Sequence, residues 1–279
     1  MTIRTIDTGL FKLDGGAMFG VVPKSMWESI NPPDERNLCT WAMRCLLVEA
    51  DGKVLLIDTG IGNKQDARFY GHYDYDPTTN HLIESIRAAG YTESDVTDVL
   101  LTHLHFDHVG GAVRRAGDRL TTTFPAATYW SHSQHWAWAN HPNPRERASF
   151  RSENILPLHE SGQLRFADQD TFSFPAIDLP TVDGHTERMM LPKLTINGRT
   201  VLFMADLVPS AGHIPLPYVM GYDMRPLLTM DEKERLLTQA AAENWVLVFE
   251  HDPVIEAGTV MMTDRGVRLR DTGKLADFL

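Results

Sequence analysis

The chain reads as a layered α/β protein with mixed sheets, and three observations lead there. Short apolar runs of strand length alternate with amphipathic helical stretches. Hairpin signals join several of the strands. No repeat, low-complexity tract or clean linker interrupts the 279 residues, so one domain over 1–279 is expected.

The elements follow in order. Residues 3–13 alternate as a strand. Residues 15–38 mix Gly, Pro and large apolar side chains. They predict an ordered loop, because Phe19, Val21, Val22, Met26 and Trp27 favour burial. Residues 45–49 and 54–57 flank Asp51-Gly52, a two-residue hairpin signal. Residues 58–62 then end the strand in a tight turn. Over 80–89, Leu82, Ile83, Ile86 and Ala89 share one helical face, and Gly90 supplies the stop. Residues 96–102 and 127–130 are short apolar strands. A helix is expected over 132–140 and a partly helical insertion over 141–160. Residues 191–196 and 200–205 flank Asn197-Gly198-Arg199, a second hairpin. Thr229-Met230-Asp231-Glu232 has capping-box spacing and predicts a helix from there to about Glu243, with a solvated acidic face. A strand over 245–250 and a third hairpin around Asp264-Arg265-Gly266 complete the chain.

Composition removes several function classes. At 43% hydrophobic and 23% charged, the chain is neither disordered, collagenous nor coiled coil. Its 37 acidic and 26 basic residues give a formal charge of −11, which disfavours nucleic-acid and anionic-membrane partners. No apolar run approaches the roughly 20 residues of a membrane span. The start alternates like a strand and lacks the apolar run of a signal peptide. Cys39 and Cys45 are too few for a disulfide framework and are expected to be buried thiols in a reduced cytoplasm. The 12 histidines are informative only by where they sit.

Residues 99–111, VLLTHLHFDHVGG, carry the chemistry. An apolar strand ends at Thr102, and His103, His105, Asp107 and His108 follow within six residues. In extended chain, residues two apart point the same way, so His103 and His105 can converge on one cation. Asp107 and His108 come as the chain turns and can face a second. Burying four such groups without partners would cost on the order of several kcal/mol, which makes a chance grouping untenable. Imidazole and carboxylate suit zinc, manganese, iron or cobalt, with zinc preferred.

The run His103-Leu104-His105-Phe106-Asp107-His108 resembles the H-x-H-x-D-H signature of the metallo-β-lactamase superfamily. Downstream, Gly184-His185-Thr186, Asp206 after residues 201–205 and His251 after residues 246–250 match its remaining ligands. Asp58-Thr59-Gly60 matches its early Asp-x-Gly turn. The resemblance implies a four-layer αββα sandwich with two divalent metal ions. His103, His105 and His185 would hold one ion, Asp107, His108 and His251 the other, and Asp206 would bridge them. Asp58 would orient a ligand imidazole. It implies hydrolysis by a hydroxide shared by the two ions, with Asp107 or Asp206 moving a proton to the leaving group.

Within the superfamily, Asp107 favours the dinuclear hydrolases over mononuclear iron oxygenases. Neither cysteine matches the second-site Cys of β-lactamases that use one. The run Gly184-His185-Thr186-Glu187 departs from the glyoxalase II pattern, which weakens a thioesterase reading, and also from the pattern of the best-known lactonases. Residues 15–27 resemble a pocket-lining loop in the branch of acyl homoserine lactone lactonases and methyl-parathion-type hydrolases. Phe19, Val22, Met26 and Trp27 would then wall an apolar pocket. Residues 207–224 follow Asp206 directly and add Tyr218, Met220 and Tyr222, with His213 as a hydrogen-bond donor to substrate. The expected substrate is a small lactone or related ester. Aryl esters or organophosphate triesters are the nearest alternative and thioesters the next, and a mononuclear iron oxygenase or a metal-binding effector without turnover are those of another class. Aromatic side chains in 19–27 and 130–138 are candidates for a homodimer face.

Overall fold

The computed structural model describes residues 1–79 and 81–279, which cluster into two compact units. The first comprises residues 1–9, 43–175 and 188–190, and the second residues 10–42, 176–187 and 191–279. Asn80, the first residue of the expected helix over 80–89, lies outside the described residues.

The first unit is built on a six-stranded mixed sheet in the order Thr2–Asp14, Leu38–Ala50, Lys53–Ile57, Asp98–Leu100, Thr128–Ser131, Leu164–Phe166. The Asp51-Gly52 signal holds: both residues take positive φ (51° and 75°), and Ala50 pairs with Lys53 across a two-residue turn. From Lys53–Ile57 onward the neighbours are parallel, so each next strand needs a crossover. Helix His81–Ala88 buries Leu82, Ile83 and Ile86, as the 3.6-residue spacing requires. These join Leu56, Val99, Leu101, Leu104, Phe124 and Tyr129 in the core. The helix expected over 132–140 forms as Ser133–Asn140, and the insertion over 141–160 is irregular up to helix Ser152–Glu160.

The Gly110-Gly111 pair has a packing reason. A Cβ on Gly110 would lie 2.2 Å from the Ile61 carbonyl oxygen, and one on Gly111 2.2 Å from that of Thr59. Only glycine lets the turn after His108 press against the 58–62 turn.

The second unit carries a six-stranded mixed sheet in the order Gly266–Gly273, Ala257–Thr263, Val246–Val248, Arg199–Phe203, Lys193–Ile196, Ile177–Asp178. Only Arg199–Phe203 and Val246–Val248 pair in parallel. The Asn197-Gly198 hairpin forms with φ of 50° and 75°. Two expectations need correction. The loop over 15–38 contains two short helices, Gly15–Phe19 and Lys24–Trp27. Phe19 and Trp27 are buried, but Val21 (91% exposed) and Met26 (53%) face outward. The last long helix is Pro226–Glu243, starting three residues before the expected cap. Pro226 needs no N–H partner in the first turn and presets φ for a helix, so it wins the start. Thr229 is therefore inside the helix, its hydroxyl returning to the Arg225 carbonyl at 3.3 Å. That helix is also not simply solvated: Lys233 is fully buried and donates to the carbonyls of Pro215 (2.9 Å) and Tyr218 (2.8 Å).

Candidate metal centre

In the first unit, strand Asp98–Leu100 delivers the chain to Thr102. Asp58, buried and at positive φ, accepts from the Thr102 amide (2.8 Å) and hydroxyl (2.6 Å). The Thr102 hydroxyl has given its proton to Asp58, so at 3.1 Å it accepts from His103 Nδ1. His103 Nε2 is then a lone pair. His105 Nε2 faces the buried carboxylate of Glu146 at 3.0 Å and donates to it, which makes Nδ1 the lone pair. These two lone-pair nitrogens stand 3.0 Å apart. Two acceptors so placed repel unless a proton or cation lies between them, which is the arrangement a metal ion requires. His108 turns Nδ1 to Asp58 (3.2 Å) and Nε2 toward Asp107 (3.8 Å).

The second unit carries a buried group of its own. His185 Nδ1 lies 2.9 Å from Asp223 and Nε2 3.0 Å from Asp206 Oδ2. Burial alone would push this imidazole down, but the Asp206 and Asp223 carboxylates outweigh it and raise the ring to about 10. A positive charge is therefore favoured there, as a proton or as a cation. His251 Nδ1 donates to the Ala42 carbonyl at 2.7 Å, leaving Nε2 facing Asp206 Oδ1 at 2.9 Å. Each oxygen of Asp206 thus meets a different imidazole. Within the units, His103 with His105, Asp107 with His108, and His185 with Asp206 present ligand atoms close enough to share an ion. In each unit these side chains suit a divalent metal by donor type, by burial and by the engagement of the outward-facing imidazole nitrogens.

Several supporting residues carry no motif and escape a reading of the sequence. Glu146 and Asp223 hold the His105 and His185 imidazoles from 41 and 38 residues away. His135 Nε2 accepts from the Leu104 amide at 2.8 Å and fixes the backbone between His103 and His105. Glu232, expected to cap a helix, accepts instead from the amides of Asp183 (2.7 Å) and Gly184 (3.0 Å) and so grips the His185 turn.

The expected pocket wall changes. Phe19 is fully buried, stacked on Trp27 (5.2 Å) and on His213 (4.6 Å), with Tyr218 edge-on at 6.3 Å. This is an aromatic core. His213 accepts from Ser210 at Nδ1 (2.7 Å) and donates from Nε2 to the Met18 carbonyl (2.8 Å). Both ring nitrogens are committed, and burial pulls the ring down to about 3. It stays neutral and has no N–H for a substrate. Val22 and Met220 are buried, whereas Met26 and Tyr222 reach the surface. A cavity of about 640 Å³ in the second unit is lined by other side chains, among them Ile30, Ile214, Val254 and Leu269. Cys39 and Cys45 are buried free thiols, as expected.

Residues 44–251 match the family described as the metallo-β-lactamase superfamily. The chain belongs to the metallo-β-lactamase superfamily. Its fold is that of the superfamily, and the two mixed sheets are the ones this fold requires. A probable metallo-hydrolase of Mycobacterium bovis is 30% identical over 152 residues, 48% of this chain and 45% of that protein. The chain spans about half the length of the curated relatives it matches there. An N-acyl homoserine lactonase of Bacillus cereus is 24% identical over 257 residues, 84% of this chain and 89% of that one. A crystal structure of a probable metal-dependent hydrolase from Staphylococcus aureus superposes with a TM-score of 0.86 at 28% identity, covering 98% and 96% of the two chains. A dizinc quorum-quenching lactonase solved with its product reaches 0.81 at 18% identity, covering 98% and 95%, and so shares the fold. Among the described residues, no helix is long and apolar enough to cross a membrane.

Proposed function

We propose that this superfamily member is a two-metal hydrolase that opens a small lactone of the acyl homoserine lactone type, with both units serving one catalytic domain over 1–279. The observation that carries the hydrolase reading is the pairing at each imidazole. The outward nitrogen of His103, His105, His108, His185 and His251 is engaged by Thr102, Glu146, Asp58, Asp223 and Ala42 respectively, which leaves one nitrogen on each ring to bind. His103, His105 and His185 would hold one ion and Asp107, His108 and His251 the other, with Asp206 serving both. Zinc suits this set best, since imidazole and carboxylate donors match its preferences. When bound, the ions supply an activated water and stabilise the negative charge that develops on the carbonyl oxygen.

The chain's own residues do the rest. Asp58 holds His108 and, through Thr102, His103. Asp206, facing an imidazole with each oxygen, is committed to binding. Asp107 would move a proton to the leaving oxygen. The lactone class is supported by the likeness to the Bacillus cereus lactonase over most of both chains. The substrate is a small molecule rather than a polyanion, in keeping with the formal charge of −11. The test is a hydrolysis panel of lactones, aryl esters, phosphotriesters and thioesters, run beside elemental analysis. Ring opening of acyl lactones above the other classes, with close to two metals per chain, is the expected result. One iron per chain and no hydrolysis would overturn it.

A further inference from the structure

The five imidazoles are not held alike. His103, His108, His185 and His251 are each engaged outward at Nδ1. His105 alone is engaged at Nε2, by Glu146, and turns Nδ1 toward His103. A ring presenting Nδ1 binds through the nitrogen nearest its own backbone and points its other N–H into the protein. A buried N–H there needs an acceptor.

We propose that Glu146 is a positioning residue that dictates which nitrogen His105 presents, and thereby sets the affinity of the metal His105 holds. The proposal rests on the metal-centre reading above. Glu146 is 1% exposed, and its own geometry is over-determined. Its Oε2 accepts from Trp138 Nε1 at 2.6 Å and Asn143 Nδ2 at 3.1 Å, while its backbone amide donates to Asn143 Oδ1 at 3.1 Å. Two donors on Oε2 leave Oε1 aimed at His105. An ionised carboxylate only accepts, so His105 must carry its proton on Nε2 and expose a lone pair at Nδ1. The negative charge also makes that lone pair more basic toward a cation. All of this comes from residues 138–146, a segment with no ligand motif of its own.

Glutamine cannot reproduce this arrangement. Its amide N–H₂ must face either the Trp138 and Asn143 donors or the His105 N–H. Glu146→Gln and Trp138→Phe are to be titrated with zinc against a chromophoric chelator. Their cobalt-loaded visible spectra and the melting temperatures of their metal-free forms complete the measurement. Glu146→Gln is expected to weaken one of the two metals by about 10- to 100-fold and to shift the cobalt bands. Trp138→Phe, which keeps the charge but frees one side of it, should give a smaller loss at the same ion. This second variant carries the test if the first does not fold. A Glu146 variant that binds both metals like the parent with an unchanged cobalt spectrum, while only its metal-free melting temperature falls, overturns the proposal alone. A parent protein that takes up no metal overturns the reading beneath it as well.

Discussion

Asp206 has each carboxylate oxygen within 3.0 Å of a different imidazole nitrogen, on His185 and His251. Replacing Asp206 or His103 with Ala should abolish metal-dependent turnover and lower metal content, read by elemental analysis beside the hydrolysis rate. Unchanged activity would remove the proposed centre. Gly184→Ala is a subtler change at this scale. A Cβ there would sit 2.4 Å from the Thr229 hydroxyl and 2.5 Å from the Thr229 backbone nitrogen, and backbone cannot swing aside. The neighbouring His185 must shift, so metal affinity should fall at least about tenfold, as for loss of a partner that orients a ligand. Chelator competition would measure it. The candidate ligands were legible because six consecutive residues hold four imidazole or carboxylate groups. Glu146, Asp223 and Glu232 were not, since a lone carboxylate among 37 acidic residues carries no mark of what it will face.

Elements bounded by special backbone geometry were read correctly, and those bounded by competing signals were not. Asp51-Gly52 and Asn197-Gly198 leave few alternatives, because positive φ at both positions selects these residue types. The helix expected from Thr229 had two start signals, a capping-box spacing and an upstream proline, and the proline won. That choice also decided the fate of Lys233, which the longer helix buries against carbonyls of the 215–218 segment. Lys233→Met should cost about 1–3 kcal/mol in urea unfolding near neutral pH, because those carbonyls lose their donor. Burial holds the Lys233 ammonium down to about 7, with Asp223 opposing it. The unfolded chain keeps lysine near 10.4. Between these values the unfolded state binds more protons, so this residue makes stability rise with pH from about 7 to 10. Lys64, also held down to about 7 by burial, adds to the same rise, so the variant should show a smaller one, and a parent and variant with parallel profiles would refute the assignment.

For the whole molecule, the buried imidazoles and carboxylates dominate the response to metal. Without a cation, lone pairs of His103 and His105 face each other at 3.0 Å. Stripping metal with a chelator should therefore lower the melting temperature, and zinc should restore it. A ligand at a thousand times its Kd adds about 4 kcal/mol, which for a chain of this size is a shift on the order of 10 °C. Calorimetry of both forms checks this, and coincident transitions would count against a buried metal centre. The acidic balance lies mostly outside the site and bears on solubility and partner choice rather than on this response.

By itself the sequence determined the α/β class, the hairpins and the cluster of candidate ligands at 103–108, because these depend on neighbours a few residues apart. Strand alternation, turn geometry and a ligand motif on one strand end are local physics. Only the tertiary structure decided which nitrogen each imidazole presents, that His213 is a packed core ring, and that Glu232 grips a turn instead of capping a helix. Those outcomes depend on which hydrogen-bond partner a buried group meets. In this chain the partners come from as far as 209 residues away, as the Ala42 carbonyl does for His251.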